Sequence, residues 1–436
     1  MRPDGSADPA ELGVAVDRLV DHVLGLTSLR PRAVGLTCAW HALVGLGGTG
    51  ESVTQLTTWV HSGAGPDAAW LREAVGSPTA VHQRTGAPLH PSFPSSRLKM
   101  LMQKEPDACA QVELWSSLGE FLLRRWFGLE VPASFSMASG SGLYNQAALG
   151  WDEELLDLLV LDERRLGPVA DAPQPGTDLR LLEPYRRRWT RLIGVPWTPA
   201  FGDGGAVVVG SNCEGSGRIA LTVGTSAAGR ILVSRLDRLA QPLSPGLFAY
   251  LLDRERSVVG VARSNAGNLL AWARRNLLLP SEDDLVLAAT AGRKPGGHGL
   301  NVDPSLAGER SPAWPLEARG VLGGLSSSTG PLDILQALLE ASVLGLCRSL
   351  EELEAWAGPG QFVLSGGAAR VRGWRELLAA ATGRRLLAGH PEASLRGAAS
   401  LAWRMIDPEW EGPPAQEEDT ITPDPQKARA YEQMDA

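Results

Sequence analysis

The chain of 436 residues is poor in cysteine and has no long hydrophobic run. Its four cysteines are isolated in the sequence, so no Cys-x-x-Cys pair is available for a metal or redox centre. A disulfide framework is not expected in a chain of this size. The longest apolar runs fall far short of the roughly 20 residues that a membrane-spanning helix needs, which excludes a helical membrane protein.

The chain also lacks an excess of positive charge. Lys and Arg total 41, Asp and Glu total 49, and the formal net charge is -8. Because the arginines are scattered rather than aligned along one face, we expect no nucleic-acid partner. The first residues lack the apolar stretch of a signal peptide, so we expect a cytoplasmic protein. The sequence leaves the oligomeric state open, a homodimer included.

The amino-acid composition of the chain is that of a globular protein. Hydrophobic residues make up 44% of it, which is enough to fill a large core. Asp8 followed by Pro9 predicts the capped start of a first helix. Residues 202–230 are rich in Gly, Val, Ser and Thr, and the pattern predicts short strands joined by glycine turns.

The length and these composition shifts predict more than one domain. We place a boundary near Pro199. The expected units are an N-terminal domain of residues 1–198, a C-terminal domain of residues 199–408, and an acidic, proline-rich tail with a short terminal helix at 409–436.

The strongest chemical candidate is Asp203, which lies between glycines in the segment 201–205. A carboxylate between glycines can sit where the main chain and a ligand approach closely. A plain Asp-Gly turn is the more common meaning of this pattern. The functional interpretation gains weight from residues 221–226, where a strand-like run ends in Gly-Thr-Ser and offers amides and hydroxyls to a phosphate.

A third candidate is the segment 364–369, a strand followed by two glycines and a helix. Glycines at such a junction let a ring or a phosphate lie against the main chain. Taken alone, the segment is equally well explained as a tight turn between a strand and a helix.

These three segments, in this order, resemble the carbohydrate kinases of the FGGY family. Residues 320–340 are similar to the family's second signature, and residues 307–312 look like its substrate-domain loop. The segments that look most like the gluconate-kinase branch are Trp40–His41, 82–86, 90–92 and 138–143.

The resemblance implies an α/β chain with a two-domain, actin-like (ribonuclease H-like) ATPase fold that binds ATP and Mg²⁺ between its halves. Asp203 would be the general base that accepts the proton of the attacking sugar hydroxyl. The residues that would contact the phosphates and the adenosine are Gly224, Thr225, Ser226, Gly366 and Gly367. The residues that would line the sugar side are Trp40, His41, His61 and Gly202. The resemblance assigns no metal-ligating side chain.

The chain departs from the family pattern at its start. Family members begin with a strand and an Asp-x-Gly-Thr-x-Ser hairpin that cradles the β- and γ-phosphates, whereas this chain begins at a helix that follows the hairpin. Residues 47–50 look similar, but they coincide with a polar hairpin turn of the family. We therefore expect an incomplete N-terminal domain.

A second departure lies at residues 59–64. The family usually has Trp-x-Asp-x-Arg there, and this chain has His61 and Gly63 instead of the two charged residues. A histidine can still hydrogen-bond a hydroxyl, but glycine cannot hold a substrate. The identity of the sugar is therefore open.

Two functions remain in competition. The first is an ATP-dependent kinase that phosphorylates a sugar or a gluconate-like sugar acid. The second is a degenerate relative that binds a sugar, a nucleotide or a partner without phosphoryl transfer.

Overall fold

The structure is a computed structural model that describes residues 2, 5–61, 63–128, 130–171, 180–215, 217–410, 412 and 419–435. The strands are β1 (Ser6–Ala7), β2 (Val34–Cys38), β3 (Val44–Leu46), β4 (Leu56–Thr57), β5 (Leu114–Ser116), β6 (Tyr144–Asn145), β7 (Gly150–Trp151), β8 (Trp197–Gly202), β9 (Arg218–Val223), β10 (Ala227–Ser234), β11 (Phe248–Leu251), β12 (Arg256–Arg263), β13 (Asn301–Asp303), β14 (Val321–Gly323), β15 (Gln361–Ser365), β16 (Leu386–Ala388) and β17 (Thr420–Ile421).

Helices connect and cover these strands. They are α1 (Pro9–Gly25), α2 (Gly65–Ala74), α3 (Pro78–Thr85), α4 (Pro94–Lys104), α5 (Pro106–Ala110), α6 (Leu118–Phe127), α7 (Phe135–Ser139), α8 (Glu153–Leu159), α9 (Glu183–Arg188), α10 (Asp203–Gly210), α11 (Arg235–Ala240), α12 (Gly267–Asn276), α13 (Leu285–Thr290), α14 (Pro331–Ala357), α15 (Arg372–Thr382), α16 (Ala393–Ile406) and α17 (Pro425–Asp435). Among the described residues, no helix is both long and apolar enough to cross a lipid bilayer.

The C-terminal half is built on a seven-stranded sheet with the order β11-β12-β10-β9-β15-β16-β17. Strands β9, β15 and β16 run parallel, and the other neighbours are antiparallel. The register pairs Thr222 of β9 with Ser365 of β15. Because adjacent parallel strands end at the same edge of a sheet, the residues that follow β9 and β15 are brought close together.

Side chains of this sheet alternate between two buried faces. In β9, Ile219 and Leu221 pack in a core with residues of α13, α14 and α15, whereas Ala220 packs in a second core with residues of α10 and β8. In β15, Leu364 belongs to the first core and Val363 to the second. This period of two is that of strands whose two faces are both covered.

Helix α10 corrects the prediction that residues 202–230 form only strands and turns. Its valines favour a strand by local preference, but the helix is buried against α16. A Cβ atom built on Gly210 would lie 1.9 Å from the Ala393 carbonyl oxygen, and one built on Gly397 would lie 1.8 Å from that of Ala206. Close packing between the two helices therefore overrides the local preference.

The N-terminal half has a parallel pair formed by β2 and β8. Helix α1 begins as the sequence predicts, since the Asp8 carboxylate accepts hydrogen bonds from the amides of Ala10 and Glu11 at 2.8 and 3.1 Å. The buried Asp17 carboxylate accepts from the Trp126 indole at 2.9 Å and from Arg125 at 3.0 Å. These bonds fasten α1 to α6.

The predicted boundary between residues 198 and 199 falls inside β8. This strand pairs with β2 along Val34 to Cys38, so the N-terminal pair extends to Gly202. The chain therefore leaves the β2–β8 pair at the junction of β8 and α10, directly before Asp203.

The predicted tail at 409–436 packs on the C-terminal half in its described part and contains the terminal helix. Strand β17 pairs antiparallel with β16, and α17 packs on α15. Tyr431 is buried, and its hydroxyl donates to Glu340 of α14 at 3.0 Å. Residues 419–435 therefore complete the C-terminal layer, while residues 411, 413–418 and 436 lie outside the described part.

Candidate active site

A cavity of about 80 Å³ lies between the N-terminal strands and the seven-stranded sheet. Four residues that the sequence predicts for the site line it together: Trp40, His41, Asp203 and Ser226. The other lining residues are Ala39, Trp59, Ser92, Phe93, Arg230, Phe248, Tyr250, Ala262, Arg310 and Trp314. The fold thus joins the candidate base, one residue of the candidate phosphate turn and the candidate sugar side.

Trp40 explains the two glycines that flank Asp203. Its indole Nε1 donates a hydrogen bond to the Ser136 carbonyl at 3.0 Å, and its ring covers the main chain at Gly202 and Gly204. A Cβ atom built on Gly202 would lie 1.9 Å from the indole Nε1, and one built on Gly204 would lie 2.4 Å from Cζ3. Only glycine fits there. Gly202, predicted to contact substrate, thus lies beneath Trp40.

Asp203 is the first residue of α10, directly after β8 ends. Its side chain is exposed, and one carboxylate oxygen accepts a hydrogen bond from the Gly204 amide at 2.8 Å. The other oxygen accepts none from the residues that the structure describes. It is therefore available to a ligand in the cavity.

His41 has an unusual main-chain conformation and a defined ring tautomer. Its φ of 64° lies in the left-handed region, which non-glycine residues rarely adopt. The ring packs edge-on against Phe93 and Tyr250, with Nδ1 2.5 Å from the Gly140 carbonyl oxygen. Burial lowers the pKa of His41 to about 3, so the ring is neutral. Since a carbonyl only accepts, Nδ1 donates and Nε2 carries the free lone pair.

Arg97, which no sequence motif identified, holds the strained turn at His41. Its guanidinium is completely buried and donates to the His41 carbonyl. It also donates to Thr57 Oγ1 at 3.0 Å and to the Ser92 carbonyl at 3.1 Å. Burial lowers the pKa of Arg97 to about 9. The side chain thereby ties together three segments of the sugar side.

Two further arginines were also missed as site residues. Arg230 of β10 is half-buried, and burial lowers its pKa. Arg310 is half-buried with its guanidinium 4.6 Å from the centroid of the Trp59 ring, and burial lowers its pKa to about 10. Arg310 belongs to the loop 307–312 that resembles a family loop, whereas nothing in the sequence pattern points to Arg230.

The candidate nucleotide residues meet at one edge of the large sheet. The turn at 224–226 joins β9 to β10, and residues 366–367 directly follow β15. Between the ends of these strands, the Thr222 and Ser365 hydroxyl oxygens are 3.2 Å apart. The structure therefore brings together two segments that are distant in the sequence.

The main chain at this edge of the sheet leaves room for a ligand to come close to it. The Gly224 carbonyl accepts from the Gly267 amide at 2.9 Å, which fixes the turn against the start of α12. Gly366 has a φ of 80°, and its Cβ would lie 3.1 Å from the Val223 carbonyl oxygen. No described atom lies within 4 Å of a Cβ built on Gly224 or Gly367. A ligand can therefore approach the main chain at both glycines.

His61 is not among the residues that line this cavity, so its place on the sugar side stays a prediction. The chain turns after β4, where the His61 amide donates to the Thr58 carbonyl at 3.0 Å. The His61 Nδ1 then accepts from the Gly63 amide at 3.3 Å. Trp59 is the residue of this segment that lines the cavity.

No metal cluster is preformed in the described ranges of the chain. They contain no group of three or more His, Cys, Asp or Glu side chains that could hold a metal ion.

Comparison with known proteins agrees with this architecture. Residues 8–180 match the N-terminal domain of the FGGY family of carbohydrate kinases, and residues 219–406 match its C-terminal domain. Gluconokinase of Bacillus licheniformis is 27% identical over 367 residues, which are 80% of this chain and 69% of that protein. Gluconokinase of Bacillus subtilis (strain 168) is 27% identical over 361 residues, which are 79% of this chain and 68% of that protein.

The crystal structure of gluconate kinase from Lactobacillus acidophilus has a TM-score of 0.85 and 25% identity, with coverage of 99% of this chain and 87% of that chain. The fold is accordingly the two-domain, actin-like ATPase fold that the resemblance implied. The chain therefore belongs to the FGGY family of carbohydrate kinases.

Proposed function

We propose that this carbohydrate kinase transfers the γ-phosphoryl group of ATP to a hydroxyl of a sugar acid of the gluconate type. The observation that carries the proposal is that Asp203 and Ser226 line one cavity together with Trp40 and His41. Relatives named gluconokinase and gluconate kinase support the choice of an acidic sugar.

Asp203 is the general base in this proposal. Phosphoryl transfer depends mainly on positioning and charge stabilisation, with one group to accept the proton of the nucleophile. The free carboxylate oxygen of Asp203 accepts the proton of the sugar hydroxyl. The hydroxyl oxygen then forms a bond to the γ-phosphorus, and the bond from this phosphorus to the β–γ bridging oxygen breaks, which leaves ADP.

His41 positions the sugar. Because its Nδ1 donates to Gly140, its Nε2 can accept a hydrogen bond from a second sugar hydroxyl. The rings of Phe93 and Tyr250 hold the imidazole edge-on, so a bound hydroxyl meets a fixed acceptor. Fixed geometry of this kind raises the effective concentration of the reacting groups.

The sheet edge fits the nucleotide. The main chain is open at Gly224 and Gly367, and the hydroxyls of Thr225 and Ser226 lie in a strand turn of the kind that holds phosphates. Kinases of this family use ATP and a divalent metal ion, which we propose to be Mg²⁺. In such sites the ion is held largely by the phosphates and by water. When bound, the ion neutralises charge on the phosphates.

A coupled assay of ADP release with D-gluconate tests the proposal. Asp203→Asn should lower kcat by about 10²–10⁴-fold, the usual contribution of a general base, while calorimetry still detects ATP binding. Asp162→Asn is the matched control, because Asp162 does not line the cavity and pairs with Arg164 at the surface. It should keep the wild-type rate. An unchanged kcat in Asp203→Asn would contradict the assignment.

The same assay addresses the alternative of a binding protein without transfer. Wild-type protein that binds ATP but releases no ADP with any of a panel of sugar acids and ketoses would favour the degenerate relative. Turnover with one sugar acid, abolished by Asp203→Asn, would exclude it.

A further inference from the structure

The guanidinium of Arg230 lies in the candidate active-site cavity with unused hydrogen-bond donors. Arg230 lines this cavity together with Asp203 and Ser226. Its Nε is buried and donates to no acceptor in the part of the chain that the structure describes. Its Nη1 lies 3.5 Å from the Thr222 hydroxyl oxygen. Because a buried charged group is costly while its donors remain unsatisfied, Arg230 is suited to bind an anionic ligand.

Two glycines make room for the Arg230 side chain. A Cβ atom built on Gly204 would lie 2.6 Å from the Arg230 Nε, and one built on Gly260 would lie 3.1 Å from its Cγ. Gly260 is the β12 residue that pairs with Arg230 of β10, and Gly204 follows Asp203 in the first turn of α10. The side chain is thus enclosed between the sheet and the helix. Since its position is set before a ligand arrives, little ordering entropy is lost on binding.

Arg230 differs in its electrostatic surroundings from Arg310, which also lines the cavity. Glu309 is the charged group that acts most strongly on Arg310, and Glu309 is itself ion-paired with Arg263 at 2.9 Å. The carboxylate that acts most strongly on Arg230 is Asp203. Asp203 accepts its described hydrogen bond from its neighbouring amide and not from Arg230. The Arg230 guanidinium therefore lies beside the candidate base without being tied to it.

The transferred phosphoryl group has to pass Arg230. In the proposed function, the γ-phosphorus moves from a nucleotide held at the turn that ends at Ser226 to a sugar hydroxyl beside Asp203. The Arg230 Nε lies at the first turn of α10, which Asp203 begins. The Nη1 lies near Thr222 in β9, the strand that leads into the phosphate turn. The guanidinium thus reaches towards both points between which the phosphoryl group moves.

We propose that Arg230 binds the γ-phosphoryl group during its transfer and stabilises the transition state. The inference rests on the proposed function, because it assumes that ATP and a sugar acid meet in this cavity. The acceptor oxygen bonds to the γ-phosphorus, its proton passes to Asp203, and the bond to the β–γ bridging oxygen breaks. Arg230 keeps its protons and donates hydrogen bonds to the phosphoryl oxygens. A planar guanidinium can bind two such oxygens at once, and charge stabilisation of this kind is the main need of phosphoryl transfer.

The coupled assay of ADP release with D-gluconate gives the first test. Arg230→Gln should lower kcat by about 10²–10³-fold, the usual cost of removing one donor that acts in the transition state. The KM for gluconate and the affinity for ADP should stay close to wild type, because the lost contact forms during transfer. Arg230→Lys should keep an intermediate rate, since lysine retains the charge but not the planar guanidinium. Arg164→Gln replaces an exposed arginine and should keep the wild-type kcat.

A transition-state mimic separates direct contact from a structural effect. Aluminium fluoride, added with ADP, Mg²⁺ and D-gluconate, imitates the phosphoryl group in transfer. Calorimetry should show that the wild type binds ADP more tightly with aluminium fluoride than without it. Arg230→Gln should lose this gain by about the factor by which its kcat falls. A merely structural role of Arg230 would instead weaken ADP binding equally with and without the fluoride.

Two outcomes would overturn the proposal. They are an Arg230→Gln variant with wild-type kcat, and a variant that keeps the gain from aluminium fluoride although its kcat is low. If Arg230→Gln does not fold, Arg230→Lys decides, because it must lose part of both kcat and the gain at unchanged ADP affinity. A wild type that releases no ADP but shows a gain that depends on Arg230 would refute the proposed function and leave the phosphoryl contact intact. A wild type with neither turnover nor gain would refute both.

Discussion

The indole ring of Trp40 lies so close to the main chain of Gly202 that a Cβ atom there would be 1.9 Å from two ring atoms. Gly202→Ala should therefore displace Trp40, and with it the adjoining Asp203. Overpacking a buried contact costs about 1–3 kcal/mol of stability. A displacement of about 1 Å at a reacting group can cost about 10²-fold in rate. Chemical denaturation and kcat/KM measure the two effects.

Gly215→Ala is the matched control for this substitution. No described atom lies within 4 Å of a Cβ built on Gly215, so the added methyl group should leave both stability and kcat/KM close to wild type. Wild-type kinetics in Gly202→Ala would show that Trp40 does not position Asp203.

Much of the fold could be predicted from local signals. The capped start of α1, the long helix α14 and the buried strand β15 each follow from a capping residue or from apolar periodicity. Helix α10 could not be predicted in this way. Its valines prefer strands, and the contact that decides its conformation is with Gly397, far along the chain.

For a similar reason, the sequence predicts some residues of the site and misses others. Asp203 and the turn ending at Ser226 lie in short patterns that resemble a family, and the structure brings them together. Arg97 and Arg230 carry no such pattern. Two of the three partners of Arg97 are the main-chain carbonyls of His41 and Ser92, and every residue type has such a carbonyl, so the sequence pattern does not reveal these contacts.

Arg97→Met should destabilise the protein strongly. The substitution leaves Thr57 Oγ1 and the carbonyls of Ser92 and His41 without their donor in a buried place. Each unsatisfied buried group costs about 1–3 kcal/mol, so a loss of about 3 kcal/mol or more is expected. The stability of Arg97→Lys should lie between those of the wild type and Arg97→Met, because lysine keeps the positive charge but lacks the planar guanidinium with its several donors. Urea denaturation followed by tryptophan fluorescence measures the change.

The control for Arg97 is Arg164→Met, since the Arg164 side chain is exposed and its salt bridge to Asp162 lies at the surface. Surface pairs contribute about 0–1 kcal/mol. If Arg97→Met were as stable as Arg164→Met, Arg97 would not be what holds the turn at His41.

His82 should make the stability of the protein fall in mild acid. It is buried, its Nε2 lies 2.8 Å from the Leu247 carbonyl oxygen, and burial lowers its pKa to about 4. An unfolded histidine has a pKa of about 6.5. Between these two values the unfolded chain binds one proton more, so stability decreases as pH falls from about 6.5 to about 4. The slope from one such group is about 1.4 kcal/mol per pH unit.

His82→Gln should therefore flatten the pH dependence of the free energy of unfolding by about that slope between pH 6 and pH 4.5. The glutamine amide can still donate to the Leu247 carbonyl. His22→Gln, which replaces an exposed histidine of α1, is the matched control variant. Parallel wild-type and His82→Gln curves would mean that His82 is protonated in the folded protein.

Tyr431 and Tyr144 allow a paired test of whether the terminal helix α17 belongs to the C-terminal domain. Both side chains are buried. The Tyr431 hydroxyl donates to Glu340 at 3.0 Å, whereas the Tyr144 hydroxyl has no hydrogen-bond partner among the described residues. Removing a hydroxyl costs stability only where it satisfies a buried partner.

Tyr431→Phe should therefore lower the free energy of unfolding by about 1–3 kcal/mol, because it leaves one oxygen of a buried carboxylate with fewer donors. Glu340 would keep its bonds from the Gln336 amide at 2.8 Å and the Gly296 amide at 2.9 Å, so the domain should still fold. Tyr144→Phe should leave the free energy of unfolding unchanged or raise it slightly, because the substitution removes a buried hydroxyl that has no hydrogen-bond partner. Denaturation curves of the two variants side by side measure the difference. Equal stabilities would mean that α17 contributes nothing through Tyr431 and packs on the domain only loosely.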